Sequence, residues 1–284
     1  MDKKDEHVLE AIGKARVVIR DGKVVEVGSP LLKRCPLARR FSRPVMDMTP
    51  EAIQANMEER IRGYGMCTEA RSLLSDQDFV VFGASELISC GIRRGILDCA
   101  VLVCEGAGTV VVHNPLLVQG IGGRMSGLVS TSPIKKVQET IEAQGGYIIS
   151  PDAAVDQCAG TRLAYILGFH KVAVTVADAE TAGLLRTEFP DALLFGVHLT
   201  GVSGKEAGRL VDACDLVSAC ASREIRSAAS RSALLQAGGS VPIFALTGKG
   251  KGLVLEKLRE TDSPLFVKAG SLPVSMGEQP DPLI

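Results

Sequence analysis

The chain has 284 residues, which is long enough to bury one large core or two smaller ones without disulfide bonds. Lys and Arg total 32 against 33 Asp and Glu, so the net charge of -1 gives no general attraction to nucleic acid or to a membrane surface. Apolar runs fall far short of the roughly 20 residues of a bilayer span, and the charged N-terminus does not resemble a secretory signal. We therefore expect a cytoplasmic protein with no nucleic acid or membrane partner.

The N-terminal part of the chain predicts a β-hairpin followed by mixed structure. Asp21-Gly22 separates two β-branched runs and favours a type I′ turn. A helix is expected to begin at Thr49-Pro50, because Thr caps helices and Pro suits the first turn. Phe79 to Gly83 and Cys99 to Cys104 read as buried strands, and the glycine-rich segment from Pro115 to Pro133 reads as a long loop.

From Tyr147 onward, predicted strands and helices alternate regularly. This alternation is typical of βαβ units in a mainly parallel sheet with helices on both faces. The sequence thus predicts an α/β protein with an N-terminal α/β region at 1–130, a Rossmann-like region at 131–270 and an irregular tail at 271–284. The strands of the second region are expected near residues 147 to 150, 171 to 176, 192 to 197, 215 to 219, 241 to 246 and 265 to 268.

Polar residues that follow the predicted strands are the first candidates for a site, because ligands of open parallel sheets bind outside the carboxyl ends of the strands. His198 could act as an acid, a base or a ligand, with Asp178 from the neighbouring strand as its partner. Asp152 is a further candidate catalytic group, and Ser150 a candidate ligand-binding group. A structural, hydrogen-bonded histidine would explain the same pattern at His198.

Two glycine-rich segments could bind a ligand. Thr247, Gly248, Lys249 and Gly250 stand between a predicted strand and a helix, where free N–H groups and lysines could hold phosphate or carboxylate. In the segment after Pro115, the glycines allow close backbone approach to a ligand, with Arg124 as a possible contact. Ordinary surface turns would have a similar composition, and hydrolase motifs such as G-x-S-x-G and H-E-x-x-H are missing from the sequence.

The chain contains eight cysteines, which in a reducing compartment are core residues, ligands or nucleophiles. Cys90, Cys158 and Cys220 are each followed closely by an arginine. If repeated α/β units brought the three together, they could hold an iron–sulfur cluster with one iron open to substrate. Each could instead be a small buried residue. Cys35 and Cys67, in polar loops, are the alternative reactive thiols, where a lowered thiol pKa is expected.

Several segments spread over nearly the whole chain resemble the methanogenesis marker protein 8 family. The resemblance implies a methanogenic archaeon and a process tied to methane formation, but it carries no catalytic residues over to this chain. The segments are Gly63-Tyr-Gly-Met-Cys-Thr-Glu69, Phe82-Gly-Ala-Ser-Glu86, Cys104-Glu-Gly-Ala-Gly108, Ser150-Pro-Asp-Ala-Ala-Val-Asp-Gln-Cys158, Cys220-Ala-Ser-Arg223 and Pro242-Ile-Phe-Ala-Leu-Thr247.

Three functions remain open at this point. The first is a methanogenesis-associated redox or cofactor-related enzyme, or a maturation factor, with a cysteine-lined crevice that holds an iron–sulfur cluster. The second is a metal-free enzyme or binding protein for a small anionic molecule. The third is a non-catalytic partner of a methanogenic enzyme component, with the basic stretch from Lys33 to Arg43 as its contact.

Overall fold

The computed structural model describes residues 5–124, 127–239, 241–275 and 277–284. Within these ranges, no helix is both long and apolar enough to cross a membrane. The strands are Glu6–Glu10 (β1), Arg16–Arg20 (β2), Lys23–Val27 (β3), Cys99–Cys104 (β4), Gly108–Val112 (β5), Gly127–Thr131 (β6), Tyr147–Ile148 (β7), Val172–Val176 (β8), Leu193–Gly196 (β9), Leu216–Ser218 (β10), Leu235–Ala237 (β11) and Ile243–Ala245 (β12). The α-helices are Pro50–Tyr64 (α1), Ala84–Arg93 (α2), Pro115–Gly122 (α3), Lys135–Ala143 (α4), Gln157–Ile166 (α5), Ala179–Glu188 (α6), Gly204–Ala213 (α7), Arg223–Ser230 (α8) and Gly248–Glu260 (α9).

The smaller of two sheets is antiparallel, with the strand order β3-β2-β1-β6. Its hairpin turns at Asp21 and Gly22, whose positive φ angles of 48° and 69° are those that a type I′ turn requires. Helix α1 begins as predicted, with the Thr49 hydroxyl accepting a hydrogen bond from a backbone N–H of the first turn. The helix contributes Ile53 to the apolar cluster that also contains Ile19 of β2. This cluster is the core beneath the small sheet.

The larger sheet has the strand order β11-β12-β10-β9-β8-β4-β5-β7. Its middle strands β10, β9, β8 and β4 run parallel, and the flanking strands pair antiparallel. The predicted α/β fold class is therefore confirmed. Strands β4 and β5 precede residue 130 but lie in the same sheet as the later strands. The division of the chain at residue 130 stays a prediction.

Helices cover both faces of the large sheet. Leu102 of β4 belongs to the apolar cluster formed with α2, α3 and α9, whereas Val101 belongs to the cluster formed with α5 to α8. Successive side chains of a strand point to opposite faces, so a strand covered on both sides must be apolar throughout. The sequence Cys-Ala-Val-Leu-Val-Cys of β4 meets this requirement.

The prediction of a long loop between Pro115 and Pro133 is wrong, because this segment contains α3 and β6. The Asn114 side chain caps α3 by accepting from the Leu116 N–H, and Pro115 occupies the first helical position. The high glycine content of the segment favoured a loop prediction over these helix signals.

Two predicted strands are also wrong. The N–H groups of Phe79 and Val80 donate to the Glu86 carboxylate at 3.1 and 3.3 Å, so this segment is held by a side chain and forms no strand. Residues 265–268 form no strand either, and the Phe266 side chain is 79% exposed. The short strand β11 was not expected.

A buried ion pair joins the segment after α1 to the turn between β4 and β5. The Arg71 guanidinium donates to the Glu105 carboxylate, and both side chains are fully buried. Arg71 also donates to the Gly120 carbonyl oxygen at 3.2 Å, which adds α3 to the junction. Arg60 of α1 is half-buried nearby, and desolvation lowers the pKa of its guanidinium to about 10. The Glu105 carboxylate therefore compensates the positive charges of the desolvated Arg71 and Arg60 guanidinium groups.

We predict that Glu105→Gln lowers the free energy of unfolding by about 3 kcal/mol or more, because it leaves buried arginine charge uncompensated. Chemical denaturation measures this loss. The matched control is Glu26→Gln, which removes an exposed carboxylate paired with Arg16 and should cost less than about 1 kcal/mol. Equal losses in the two variants would contradict the role given to Glu105.

Candidate functional site

A cleft of about 240 Å³ lies where the parallel strands β4, β8 and β9 end. It is bounded on one side by the large sheet and on the other by strands β1 and β6 of the small sheet. Its walls are apolar at Leu102, Val103, Val176, Val197 and Leu128, and polar groups come from Ser85, Gln157, Thr175, Glu10 and His198. Apolar walls with a few convergent polar groups are the usual composition of a small-molecule site.

His198 follows β9 and enters this cleft, as the sequence predicts. Its backbone has a φ of 60°, in the left-handed region that residues other than glycine seldom adopt. The imidazole points toward the small sheet, where its Nε2 lies 2.8 Å from the Glu10 Oε2. The two groups are close enough for an ion pair, although Nε2 is not aligned for a regular hydrogen bond.

Lys14 completes a group of three charged or ionisable side chains. Its Nζ lies 2.7 Å from the Glu10 Oε2 and donates to the His198 carbonyl oxygen at 3.2 Å. The imidazole, followed by the Lys14 ammonium, lowers the pKa of Glu10 to about 2. Glu10 is therefore a carboxylate throughout the physiological range, and it can orient His198 and stabilise a proton on it.

Gly127 makes room for the imidazole. It is the residue of β6 directly opposite Glu10 in the β1–β6 pairing. A Cβ at this position would come within 2.4 Å of the His198 Cδ2 and Nε2 atoms, which is closer than real Cβ contacts. Gly127 and Glu10, on neighbouring strands, thus position the ring together. Gly127 leaves space for the imidazole, and Glu10 holds it by its charge.

The other predicted catalytic residues do not contact His198. The Asp178 side chain caps α6 by accepting from the Thr181 N–H at 2.7 Å, so the expected Asp178–His198 partnership is wrong and Glu10 takes that place. Ser150 donates to the Asp152 carboxylate within the turn after β7. Neither residue of that turn lines the cleft.

The predicted anion loop lies at the opposite edge of the sheet. Strand β12 runs antiparallel to β10, so the residues after it stand where the parallel strands begin. Thr247 donates to the Asp215 carboxylate at 2.6 Å and caps α9, and Lys249 donates to the Asp191 carbonyl oxygen. Gly250 packs on the backbone of Asp215, and Gly248 is the first residue of α9. The prediction took β12 for one of the parallel strands, and this misplaced these four residues.

Arg124 and two arginines of the basic stretch have partners within the chain. The Arg124 guanidinium lies 4.2 Å from the centroid of the Tyr64 ring and donates to the Ser72 carbonyl oxygen. In the stretch from Lys33 to Arg43, Arg34 pairs with Asp281 and Arg39 with Glu278. The contact of this stretch with another protein stays a prediction.

The three cysteines proposed as cluster ligands are not brought together. Cys90 lies on α2 and contacts Glu260 of α9, on one face of the large sheet. Cys158 lies on α5 and packs against the cluster on the opposite face. Cys220 follows β10, at the edge between the faces. Across the described ranges, no group of three or more His, Cys, Asp or Glu side chains is arranged to hold a metal ion. These cysteines do not fit a shared iron–sulfur cluster.

The expected lowering of the thiol pKa at Cys35 and Cys67 is wrong. Burial raises the pKa of Cys35 above its ordinary value. Cys67 is fully buried, and desolvation followed by the Glu105 charge raises the pKa of its thiol well above the ordinary value.

Glu10, Lys14 and Gly127 were missed by sequence reasoning. Each belongs to the small sheet or its first turn, far from His198 along the chain, and none carries a motif. The only local signal was the break of β-pattern around Ile12–Lys14, a 3₁₀ turn in which Gly13 and Lys14 both have positive φ angles.

Residues 7–259 match a family described as an uncharacterized protein conserved in archaea, DUF2099. The chain belongs to this family. A relative from Methanocaldococcus jannaschii, described as uncharacterized protein MJ0054, is 42% identical over 284 residues, covering 99% of this chain and all of the relative. No solved structure matches the chain. The archaeal family is thus established, and both the cleft and its charged residues fall within the matched range.

We predict that Glu10→Gln weakens the dependence of stability on acid pH. The carboxylate titrates near 4.5 when unperturbed and near 2 in the folded chain, so its stabilisation is complete above pH 4.5 and is lost as the pH falls toward 2. Because Glu10 is partly exposed, we expect a loss of about 1–2 kcal/mol at pH 7 that shrinks toward pH 2. Denaturation from pH 7 to 2 measures it.

Glu26→Gln, in the same small sheet, is the control and should keep the pH dependence of the wild type. A constant difference between Glu10→Gln and the wild type at every pH would contradict the assignment.

Proposed function

We propose that this protein is an enzyme that binds a small organic molecule in the cleft and moves a proton to or from it through His198. The observation that carries the proposal is the contact of His198 with the Glu10 carboxylate, inside a cleft at the carboxyl ends of three parallel strands. That edge is where open α/β sheets bind their ligands. Residues held in sparsely populated backbone conformations cluster at functional sites, which supports the same reading of His198.

The geometry favours Nδ1 of His198 as the atom that faces the ligand. Nε2 is buried and lies against Glu10, so a carboxylate of low pKa stabilises a proton on that nitrogen. In the neutral ring Nδ1 is then a proton acceptor. After it has accepted a proton, the imidazolium is stabilised by Glu10, while Lys14 limits how much negative charge the ring experiences.

The lining favours a ligand that is small, largely apolar and equipped with one polar reacting group. Among the described residues that line the cleft, only Glu10 and His198 are ionisable, and the nearby Lys14 is already paired with Glu10. A phosphate would therefore enter without a cation to compensate it, at a cost in desolvation. The small anionic ligand expected from the sequence is retained as an alternative in the binding test below.

The finer assignments from the sequence concern the family name, the cellular role and the chemistry of the cysteines. The equation of this archaeal family with methanogenesis marker protein 8, and a cytoplasmic role linked to methane formation, are proposals supported by the resemblance of the quoted segments. A redox or maturation role would have to operate without a cluster shared by Cys90, Cys158 and Cys220, because the three lie apart.

The test is ligand-induced stabilisation across a panel of neutral, carboxylated and phosphorylated small metabolites. A compound present at about 100 times its Kd raises the free energy of unfolding by about 2.7 kcal/mol. We expect neutral compounds to raise the Tm more than their phosphorylated counterparts do. Both His198→Ala and Leu128→Phe, which narrows the cleft, should weaken that binding by at least about tenfold, a loss of about 1.4 kcal/mol.

His113→Ala is the matched control, because His113 follows β5 at the opposite edge of the large sheet. It should bind the same compounds as the wild type. Binding that survives both His198→Ala and Leu128→Phe, or a panel in which no compound raises the Tm, would overturn the proposal.

A further inference from the structure

A second pocket, of about 200 Å³, lies beside Cys35 and apart from the His198 cleft. It is formed by the segment around the 3₁₀ turn Pro36–Arg40 and by the C-terminal tail. Its other polar residues are Arg34, Arg39, Glu278, Gln279 and Asp281. Arginine and carboxylate side chains balance each other here, so the pocket accepts a polar ligand without selecting strongly for either charge.

The end of the chain places Cys220 close to this pocket. The Arg34 N–H donates to the Asp281 carbonyl oxygen at 3.0 Å, and the Ile284 N–H donates to the Ala221 carbonyl oxygen at 2.9 Å. Residues three positions apart are separated by at most about 11 Å. The chain neighbours of Cys35 and of Cys220 are thus both bonded to one short segment.

Two further contacts link the surroundings of the two cysteines. Cys35 packs against the same apolar cluster that contains Ala221. Arg226 donates through Nε to the Cys220 carbonyl oxygen at 3.2 Å, and through Nη1 to the Gln279 side chain that lines the pocket. Cys35 and Cys220 therefore both lie next to the C-terminal tail that forms the pocket.

The two thiols have different surroundings. Cys35 lines the pocket, and although burial raises the pKa of its thiol, the backbone N–H groups of Leu37 and Ala38 partly offset that rise. Cys220 does not line the pocket, and its Sγ lies 3.3 Å from the Ser218 Oγ. Its φ of 38° places it in the left-handed region, directly after β10. Cys35 is thus the thiol that a bound molecule can reach.

The pocket also offers an unused donor. The Gln279 Nε2 is buried and has no hydrogen-bond partner in the part of the chain that the structure describes. A buried amide donor without a partner is costly unless a ligand or water satisfies it. A polar ligand seated next to Cys35 would supply that acceptor.

We propose that Cys35 and Cys220 are a redox-active dithiol that exchanges with a low-molecular-weight disulfide bound in this pocket. The Cys35 thiolate attacks one ligand sulfur, the ligand S–S bond breaks, and the departing thiolate takes up a proton. Cys220, after losing its proton, attacks the Cys35 sulfur and expels the second half of the ligand as a thiol. Two protein thiols and one ligand disulfide become one protein disulfide and two ligand thiols, so two electrons pass to the ligand.

The experiment uses the reduced full-length chain and bis(2-hydroxyethyl) disulfide as the probe, followed by alkylation and peptide mass mapping. The wild type should yield a peptide that joins Cys35 to Cys220. Cys220→Ser should accumulate a mixed disulfide between Cys35 and the probe, because the resolving thiol is gone. In Cys35→Ser, Cys220 should stay unmodified. Circular dichroism checks that each variant is folded, and Cys220→Ser alone suffices if Cys35→Ser does not fold.

Cys158→Ser is the matched control, because Cys158 is also half-buried but lies on α5 away from the pocket. This variant should form the 35–220 linkage as the wild type does, and in the wild type Cys35 should react at least about tenfold faster than Cys158. The proposal is overturned if Cys35 stays unmodified, if Cys158 reacts as fast, or if the wild type retains a mixed disulfide at Cys35 without linking to Cys220.

Discussion

The contact between the His198 imidazole and the Glu10 carboxylate joins the two sheets of this protein at the point where its cleft opens. His198 stands at the end of a parallel strand of the large sheet, and Glu10 ends the first strand of the small sheet. If the small sheet were removed, the edge of the large sheet would keep its apolar walls but would lose the carboxylate, the ammonium of Lys14 and the space at Gly127 that position the ring. The small sheet is thus part of the site and more than a cover for it.

The α/β class could be predicted from the sequence because strand and helix signals in the C-terminal half are local and periodic. His198 could be found in the same way, since it follows a strongly apolar strand and the edge rule for parallel sheets then applies. Its partner could not, because pairing Glu10 with His198 depends on how a separate antiparallel sheet docks. The rule also failed at Thr247, where it assumed a parallel strand and β12 is antiparallel. Direction within a sheet is set by long-range pairing, which a propensity pattern does not contain.

The cysteines illustrate a second limit of sequence reasoning. The arginine that closely follows each of Cys90, Cys158 and Cys220 suggested repeated units that converge, yet helices on opposite faces of one sheet carry the first two cysteines to opposite sides. The pair that the fold does bring near one pocket, Cys35 and Cys220, shares no spacing or motif. The C-terminal tail brings the pair together through backbone hydrogen bonds to Arg34 and Ala221. These bonds could not be predicted from the irregular, proline-containing sequence of the tail. The tail therefore has a structural role that its composition does not indicate.

The measurement that tests the central claim most directly is ¹⁵N NMR of the histidine side chains. The chain has four histidines, so His198→Gln identifies the relevant signals by their loss. Seating against Glu10 predicts that the neutral His198 ring carries its proton on Nε2 and leaves Nδ1 unprotonated. Gly127→Ala should abolish this preference, because its Cβ would occupy the place of the ring. A neutral ring protonated on Nδ1, or a tautomer unchanged by Gly127→Ala, would contradict the account.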